Sequence, residues 1–146
     1  MPNPPSWQQE PSRAVGVDLI EIDRISRSIA RFGERFVTRI YTPAEIAYCS
    51  RPGRYAARFA GKEAVAKALG TGIGAVDWRE IEILTDEQGR PWVKLSGRAC
   101  EVAQRAGISN LSISLSHTRE LAVAFVVAER DVRPGARECS PRKPNQ

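Results

Sequence analysis

The stretch that most constrains the fold is residues 58–72, which read RFAGKEAVAKALGTG. Ala, Leu, Lys and Glu favour an α-helix, and Gly70 is placed to end that helix in a left-handed cap. Glu63 and Lys67 are four residues apart and share one face, with Lys62 about 100° round the helix. Such a cluster, followed by Gly-Thr-Gly, could hold a metal and a phosphate. It could equally be a surface ion pair worth on the order of a few tenths of a kcal/mol.

A chain of 146 residues is most simply one domain, and it can bury about 68–70% of its unfolded surface. The three cysteines form no C-x-x-C pair and are odd in number, which suits a reducing compartment. There is no apolar run long enough to span a membrane, and the N-terminus has no secretory signal. These features predict a cytoplasmic protein.

The chain is basic, with a net charge of +5. A basic balance favours an acidic partner, which includes nucleic acid, anionic lipid, a phosphorylated ligand or an acidic protein. Residues 1–13 contain four prolines and are predicted to be a disordered lead-in. Residues 129–146 are charged and Pro-rich and are predicted to be a disordered basic tail. The domain therefore spans residues 14–128.

Residues 14–20 read as a buried strand that contains one charge, Asp18. The alternation of a strand puts Gly16, Asp18 and Ile20 on one face. Because Asp is disfavoured inside strands, it needs a reason to be there. It either caps the end of the strand or is a ligand or catalytic carboxylate on a rigid element, and the local pattern leaves both open.

Residues 21–41 are predicted to be an amphipathic helix, which Gly33 weakens and could break. The apolar side chains fall in an arc about 80° wide, and five arginines fall in a separate arc about 120° wide. A stripe of one charge repels itself, so it favours an anionic partner. Phe32 and Phe36 lie on the apolar stripe, which argues against base stacking and for an acidic protein surface.

The remaining elements alternate with turn signals. Thr42, Pro43 and Glu45 form a capping box that starts a short helix through Cys49. The central helix is predicted to begin near Tyr55, and a further helix, N-capped by Ser96, covers residues 97–106. Strands are predicted at residues 78–84, 91–95, 111–116 and 121–128, the first two as a hairpin.

Several kinds of active site are unsupported. The chain has no G-x-S-x-G elbow, H-E-x-x-H site or P-loop. His117 is the only histidine, and its neighbour Ser116 points to the opposite face of a strand, so the two are not a ready nucleophile and base. What remains is hard-oxygen chemistry, with Asp18 and Glu63 for a magnesium-type ion and basic side chains for phosphate.

Four segments together resemble the motifs of one family, in matching order and spacing. They are GVDLIEIDRI at residues 16–25, FVTRIYTPAE at 36–45, FAGKEAVAKALGTG at 59–72 and SLSHT at 114–118. The family is the holo-acyl-carrier-protein synthases, the small phosphopantetheinyl transferases, and the resemblance covers about residues 14–128. Four matches are far more specific than any one of them.

The resemblance implies an α+β fold with a small antiparallel sheet packed against a long helix. It implies transfer of 4′-phosphopantetheine from coenzyme A to a serine of apo acyl carrier protein, in fatty acid biosynthesis. Adenosine 3′,5′-bisphosphate would be released. The family also implies a trimer with active sites at the subunit interfaces.

The resemblance also assigns roles to residues of this chain. Asp18 and Glu63 would bind Mg²⁺ and, with Lys67, form the catalytic group. Arg24, Arg27 and Arg31 would meet the carrier protein. The coenzyme A contacts would be Arg58, Lys67, Gly70, Gly72, Pro91, Ser116, His117 and Thr118. The base that takes the serine proton, Glu63 or a metal-bound water, is left open.

Two other functions fit parts of the pattern. A non-enzymatic basic module would bind RNA or another polyanion with a steep salt dependence and would not need Asp18 or Glu63. A Mg²⁺-dependent phosphohydrolase would release product without any carrier protein.

Overall fold

The computed structural model describes residues 1–9 and 11–131. Most of the predicted basic tail, from residue 132 onward, lies outside the described residues. Short 3₁₀ turns occur at Ser6–Gln8 and Trp78–Glu80. The helices and strands follow in this order: β1 (Arg13–Glu21), α1 (Ile22–Phe32), α2 (Glu34–Ile40), α3 (Pro43–Tyr48), α4 (Pro52–Ala68), β2 (Ile81–Thr85), β3 (Pro91–Leu95), α5 (Gly97–Arg105), β4 (Ile108–His117) and β5 (Leu121–Arg130).

The strands form two antiparallel sheets. The larger has the order β1-β5-β4, and the smaller is the hairpin of β2 and β3. The α+β class and the small antiparallel sheet expected from the sequence are confirmed. Asp18 pairs in register with Ala124 of β5, so its side chain lies on the same face of the larger sheet as the buried Ala124.

The central helix α4 packs against the face of the larger sheet that carries Asp18 and Ala124, and its backbone lies very close to β1. A Cβ placed on Gly16 would lie 1.9 Å from the carbonyl oxygen of Ala64, so no side chain fits at this point of β1. Ala60, Ala64 and Ala68 are buried along α4 and allow the close approach. The small residues therefore bring the polar face of the helix next to Asp18, two residues along the strand.

The long amphipathic segment breaks at Gly33, as its sequence allowed. Gly33 has a φ of +58°, a conformation that favours glycine, and separates α1 from α2. Its N–H donates to the carbonyl of Ile29 and closes the last turn of α1. The arginines of α1 and α2 consequently lie on two helices rather than on one straight stripe.

The strands extend beyond their predicted bounds. Arg13 pairs in register with Glu129, and Ile108 with Arg130, so β1 begins in the predicted lead-in and β5 ends in the predicted tail. Strand β4 begins at Ile108 and not at residue 111.

Two further predicted boundaries were wrong. Residues 78–80 form a 3₁₀ turn instead of the start of a strand, because the Asp77 side chain accepts from Arg79 N–H and Glu80 accepts from Asp77 N–H. Helix α4 begins at Pro52, which fits the first turn, and not near Tyr55. The predicted cap of α5 also differs, since Glu80 accepts from the first N–H groups of α5 whereas Ser96 makes no side-chain cap bond.

The outer face of the larger sheet is apolar and exposed. Phe125 lies in register between Val17 and Ser114, and its side chain is 48% exposed. Other exposed apolar side chains on this face are Val15, Leu19 and Leu121. A contiguous apolar surface of this kind is typical of an interaction site. Within the described part of the chain, no helix has the length and apolar character needed to cross a membrane.

Candidate functional site

Asp18 and Lys67 form the centre of the candidate site. The Nζ of Lys67 lies 3.2 Å from Oδ1 of Asp18 and 2.8 Å from the carbonyl oxygen of Val17. The Lys67 side chain is 50% exposed and that of Asp18 is 18% exposed. The ion pair therefore lies at the surface, where incoming ligands can reach it, and joins α4 to β1.

Glu63 lies one turn before Lys67 on the same face of α4. Its pKa is raised above the usual value, first by burial and then by repulsion from Asp18, while Lys67 and Arg24 act in the opposite direction. The sequence prediction that Glu63 and Lys67 share a face with access to Asp18 is thus met by the fold. Two carboxylates that repel each other at a surface are stabilised by a cation that binds between them, so the pair is a candidate cation-binding site.

These two carboxylates suit Mg²⁺ in number and chemistry. Mg²⁺ commonly takes one or two protein carboxylates and completes its shell with water and substrate phosphates. Within residues 1–9 and 11–131, no group of three or more His, Cys, Asp or Glu side chains could hold a metal by itself.

Lys62 does not join this cluster, and the expectation that it lies beside Glu63 as a second ammonium group was wrong. Its side chain is fully buried, with Nζ 2.6 Å from Oε1 of Glu45. Burial lowers its pKa, and the nearby Glu45 carboxylate partly offsets that effect. The sequence showed Glu45 only as a helix cap. Glu45 and Lys62 are 17 residues apart in the sequence, and nothing in this spacing predicted that the two side chains are in contact.

The arginines expected to meet a carrier protein lie on α1. Arg24 is exposed and close enough to Glu63 to lower its pKa. Arg27 forms an exposed ion pair with Asp23, one helical turn earlier. The guanidinium of Arg31 lies 5.0 Å from the ring centroid of the exposed Phe32. The arginine surface therefore begins beside the carboxylates and continues away from them along α1.

Arg58 and Pro91 form a second group, near the β2–β3 hairpin. The buried Arg58 donates from Nη2 to Oγ1 of Thr85 at 2.7 Å, and Thr85 is the register partner of Pro91. The Arg58 guanidinium also stacks on Tyr48 at 4.2 Å from the ring centroid. Arg58 and Glu63 are five residues apart, or about 140° round the helix, so within one chain they face different directions.

The end of β4 forms a third group. Ser116 is exposed on the outer face, in register with Val123. The exposed His117 lies near the start of α4, where a Cβ placed on Gly53 would be 3.5 Å from its Cδ2. Thr118 Oγ1 accepts from the N–H of Leu121 and shapes the turn into β5. One chain thus presents the expected ligand-binding residues as separate groups.

The glycines after α4 form the expected turn. Gly70 and Gly72 have φ values of +81° and +68°, so both need glycine. The N–H groups of Thr71 and Gly72 both donate to the carbonyl of Ala66 and close the helix. No side chain projects from this turn at either glycine, which leaves the backbone open to a ligand.

Comparison with known proteins shows which family this chain resembles. A family model described as the 4′-phosphopantetheinyl transferase superfamily matches residues 14–126. A holo-[acyl-carrier-protein] synthase of Koribacter versatilis is 49% identical over an alignment of 119 residues, and the match covers 78% of this chain and 95% of that protein.

Two solved structures agree in fold. The holo-[acyl-carrier-protein] synthase of Neisseria meningitidis superposes with a TM-score of 0.74 at 40% identity and covers 80% of this chain and 98% of its own. The holo-[acyl-carrier-protein] synthase of Helicobacter pylori, solved in complex with coenzyme A, superposes with a TM-score of 0.73 at 35% identity. The match covers 79% of this chain and 99% of that one.

Proposed function

The chain belongs to the 4′-phosphopantetheinyl transferase superfamily, and from this we propose that it acts as a holo-[acyl-carrier-protein] synthase. It transfers 4′-phosphopantetheine from coenzyme A to a serine of an apo acyl carrier protein, a step that serves fatty acid biosynthesis. The observation that carries the proposal is the cluster of Asp18, Glu63 and Lys67, which the fold assembles from β1 and α4. The family match to residues 14–126 supports one domain over 14–128. Cytoplasmic localisation stays a prediction from the sequence.

The reaction is a phosphoryl transfer. The serine oxygen forms a bond to the phosphorus that carries the pantetheine arm, and the pyrophosphate bond to the other phosphorus breaks. The leaving group is adenosine 3′,5′-bisphosphate, and the serine proton must go to a base. Such a reaction needs positioning and charge neutralisation more than covalent chemistry from the protein.

The residues of the cluster divide these tasks. Asp18 and Glu63 would hold Mg²⁺, which when bound would neutralise charge on the pyrophosphate. Lys67 has three N–H donors and uses two on Asp18 and Val17, so one remains for a phosphate oxygen. The serine proton would go to a nearby base, for which Glu63 and a water molecule beside it are the candidates.

Coenzyme A would bind in contact with the second and third groups as well. The turn at Gly70 and Gly72, where no side chain keeps a ligand away from the backbone, would complete the site together with Arg58, Pro91 and the Ser116–Thr118 segment. Because one chain holds these groups apart, we propose that neighbouring subunits share each site. The relative from Helicobacter pylori, which binds coenzyme A, supports this substrate.

The apolar outer sheet face is the surface that we assign to a homotrimer. Val17 is 53% exposed, and its register partner Phe125 is 48% exposed, which is costly for a lone subunit. Ser116 borders this face, so association there would bring the third group close to a neighbouring chain. Association through this face would complete the site that one chain leaves incomplete, and the trimer is our proposal for that assembly.

The carrier protein would dock on the arginines of α1. Arg24 lies next to Glu63, and Arg27 and Arg31 extend the positive surface along the helix. An acidic partner would be steered to this surface, and the rate of association would fall with added salt. Docking there would deliver its serine to the carboxylates.

Product analysis separates this function from its rivals. The protein is incubated with coenzyme A and Mg²⁺, with and without apo carrier protein, and adenosine 3′,5′-bisphosphate is measured by liquid chromatography. We expect release only when the carrier is present. Release without a carrier would indicate a phosphohydrolase, and no release with several carriers would favour a polyanion-binding module.

A further inference from the structure

The Glu45–Lys62 pair is a saturated polar network in the core. Both side chains are fully buried. The three N–H donors of Lys62 reach Glu45 Oε1 at 2.6 Å, Trp78 O at 3.0 Å and Ile81 O at 2.6 Å. The Glu45 carboxylate also accepts from Thr42 N and Ile83 N, at 3.0 and 3.1 Å. Each donor of the lysine therefore has a partner.

The hydrogen bonds of Glu45 and Lys62 connect α3, α4 and β2 at the turn of α4 that carries Glu63. Glu45 belongs to α3, Lys62 to α4, and the accepting carbonyls lead into β2. Thr42 Oγ1 adds a hydrogen bond to Glu82 of β2. Lys62 immediately precedes Glu63 and lies about 100° from it round the helix, so the network holds the turn of α4 that carries the candidate metal-binding carboxylate.

Packing restricts α4 from two further directions. A Cβ on Gly61 would lie 3.3 Å from side-chain atoms of Ile83 and Ile113, and Gly16 leaves no space under Ala64. These contacts limit translation of α4. Contacts with fixed directions restrict its rotation, and they are the hydrogen bonds from Lys62 to Glu45, from Lys67 to Asp18 and from Arg58 to Thr85. The Glu45–Lys62 contact is the one of these three whose two side chains are both fully buried. Buried ion pairs are seldom a large source of stability, so a role in specifying geometry is a better account of this one.

We infer that the Glu45–Lys62 pair is a positioning device that sets the rotation of α4 and thereby the separation of Glu63 and Lys67 from Asp18. The inference rests on the proposed function of Asp18, Glu63 and Lys67. A helix rotated by a fraction of a turn would move the Glu63 carboxylate by an ångström or more, and misplacement of about 1 Å can cost about 100-fold in rate.

The test replaces both partners, since a single change would leave a lone buried charge. In Glu45→Gln/Lys62→Met, we expect a cooperative thermal transition and a kcat lowered about 10- to 100-fold, with the KM for the carrier protein unchanged. Ala103→Gly in the buried face of α5 is the control, which should lower Tm but leave kcat unchanged.

If the double variant does not fold, Thr42→Val offers a milder change, because it removes the hydroxyl that bonds to Glu82 and to Glu45 N–H. A several-fold fall in kcat at constant carrier KM would support the inference. A folded double variant with the kcat of the wild type would overturn it. Turnover by the wild type and its loss in Glu63→Gln report separately on the proposed function.

Discussion

The ammonium group of Lys67 lies 3.2 Å from Oδ1 of Asp18 and ties the last turn of α4 to the middle of β1. The pair forms only because Gly16 admits the helix backbone two residues earlier on the strand. It partly neutralises Asp18 and brings Glu63, one turn away, under the influence of the same carboxylate. A charged site is thereby assembled from two residues of a helix and one of a strand.

The Gly16 contact is a stability determinant of the fold. Gly16→Ala would put a methyl group within 1.9 Å of the Ala64 carbonyl oxygen, so the helix must move away. We expect a loss of about 3 kcal/mol or more in the free energy of unfolding, measured by urea denaturation. Gly53→Ala in the first turn of α4 is the matched control, because its Cβ meets only ordinary contacts, and a similar loss there would contradict the account.

The raised pKa of Glu63 predicts a pH-dependent stability difference. A raised carboxyl pKa favours folding at low pH, and this contribution is lost as the pH rises through the pKa of the folded state. Glu63→Gln should therefore be more stable than the wild type near pH 7 and have a higher Tm. The difference in the free energy of unfolding should be less than about 1 kcal/mol because the group is partly exposed. The difference should shrink as the pH is lowered below the Glu63 pKa.

Thermal melts in Mg²⁺-free buffer between pH 4 and pH 8 measure this difference. Glu101→Gln on the exposed side of α5 is the control for loss of one negative charge. A variant of Glu63 that is less stable than the wild type at pH 7 would show that the carboxylate is favourably paired, contrary to the repulsion from Asp18.

Charge reversal on α1 tests the docking surface. Arg24→Glu should raise the KM for the carrier protein by about 10-fold or more while the KM for coenzyme A changes less, since it puts a negative charge where an acidic partner arrives. Steady-state kinetics at two salt concentrations provide the measurement. Arg105→Glu on α5 changes the net charge equally, and an equal effect there would assign the result to overall charge.

A charge on the outer sheet face tests the oligomer. Phe125→Glu should shift the sedimentation coefficient from that of a trimer to that of a monomer, because the half-exposed ring lies in the middle of the proposed interface. Phe32→Glu places the same charge at another exposed phenylalanine, outside the sheet, and should remain trimeric. A wild-type protein that sediments as a monomer would contradict the proposed assembly.

Much of the site could be predicted because its signals are local. The spacing of Glu63 and Lys67 determines their common face, and Gly70 determines the end of the helix. Lys62 could not be placed, because a lysine in an Ala-rich helix reads as exposed and its buried partner, Glu45, is distant in sequence. The alternation at residues 78–84 was misleading, because the side-chain hydrogen bonds of Asp77 and Glu80 favour a turn over the strand pattern.

The most direct test of the central claim is intact-protein mass spectrometry. Apo acyl carrier protein is incubated with this protein, coenzyme A and Mg²⁺, and its mass is measured with and without EDTA. We predict a gain of one phosphopantetheine that is lost with EDTA and in folded Asp18→Ala and Glu63→Ala variants. No gain with several carriers and a folded wild-type protein would contradict the account, and full activity in both variants would remove the two carboxylates from the metal site.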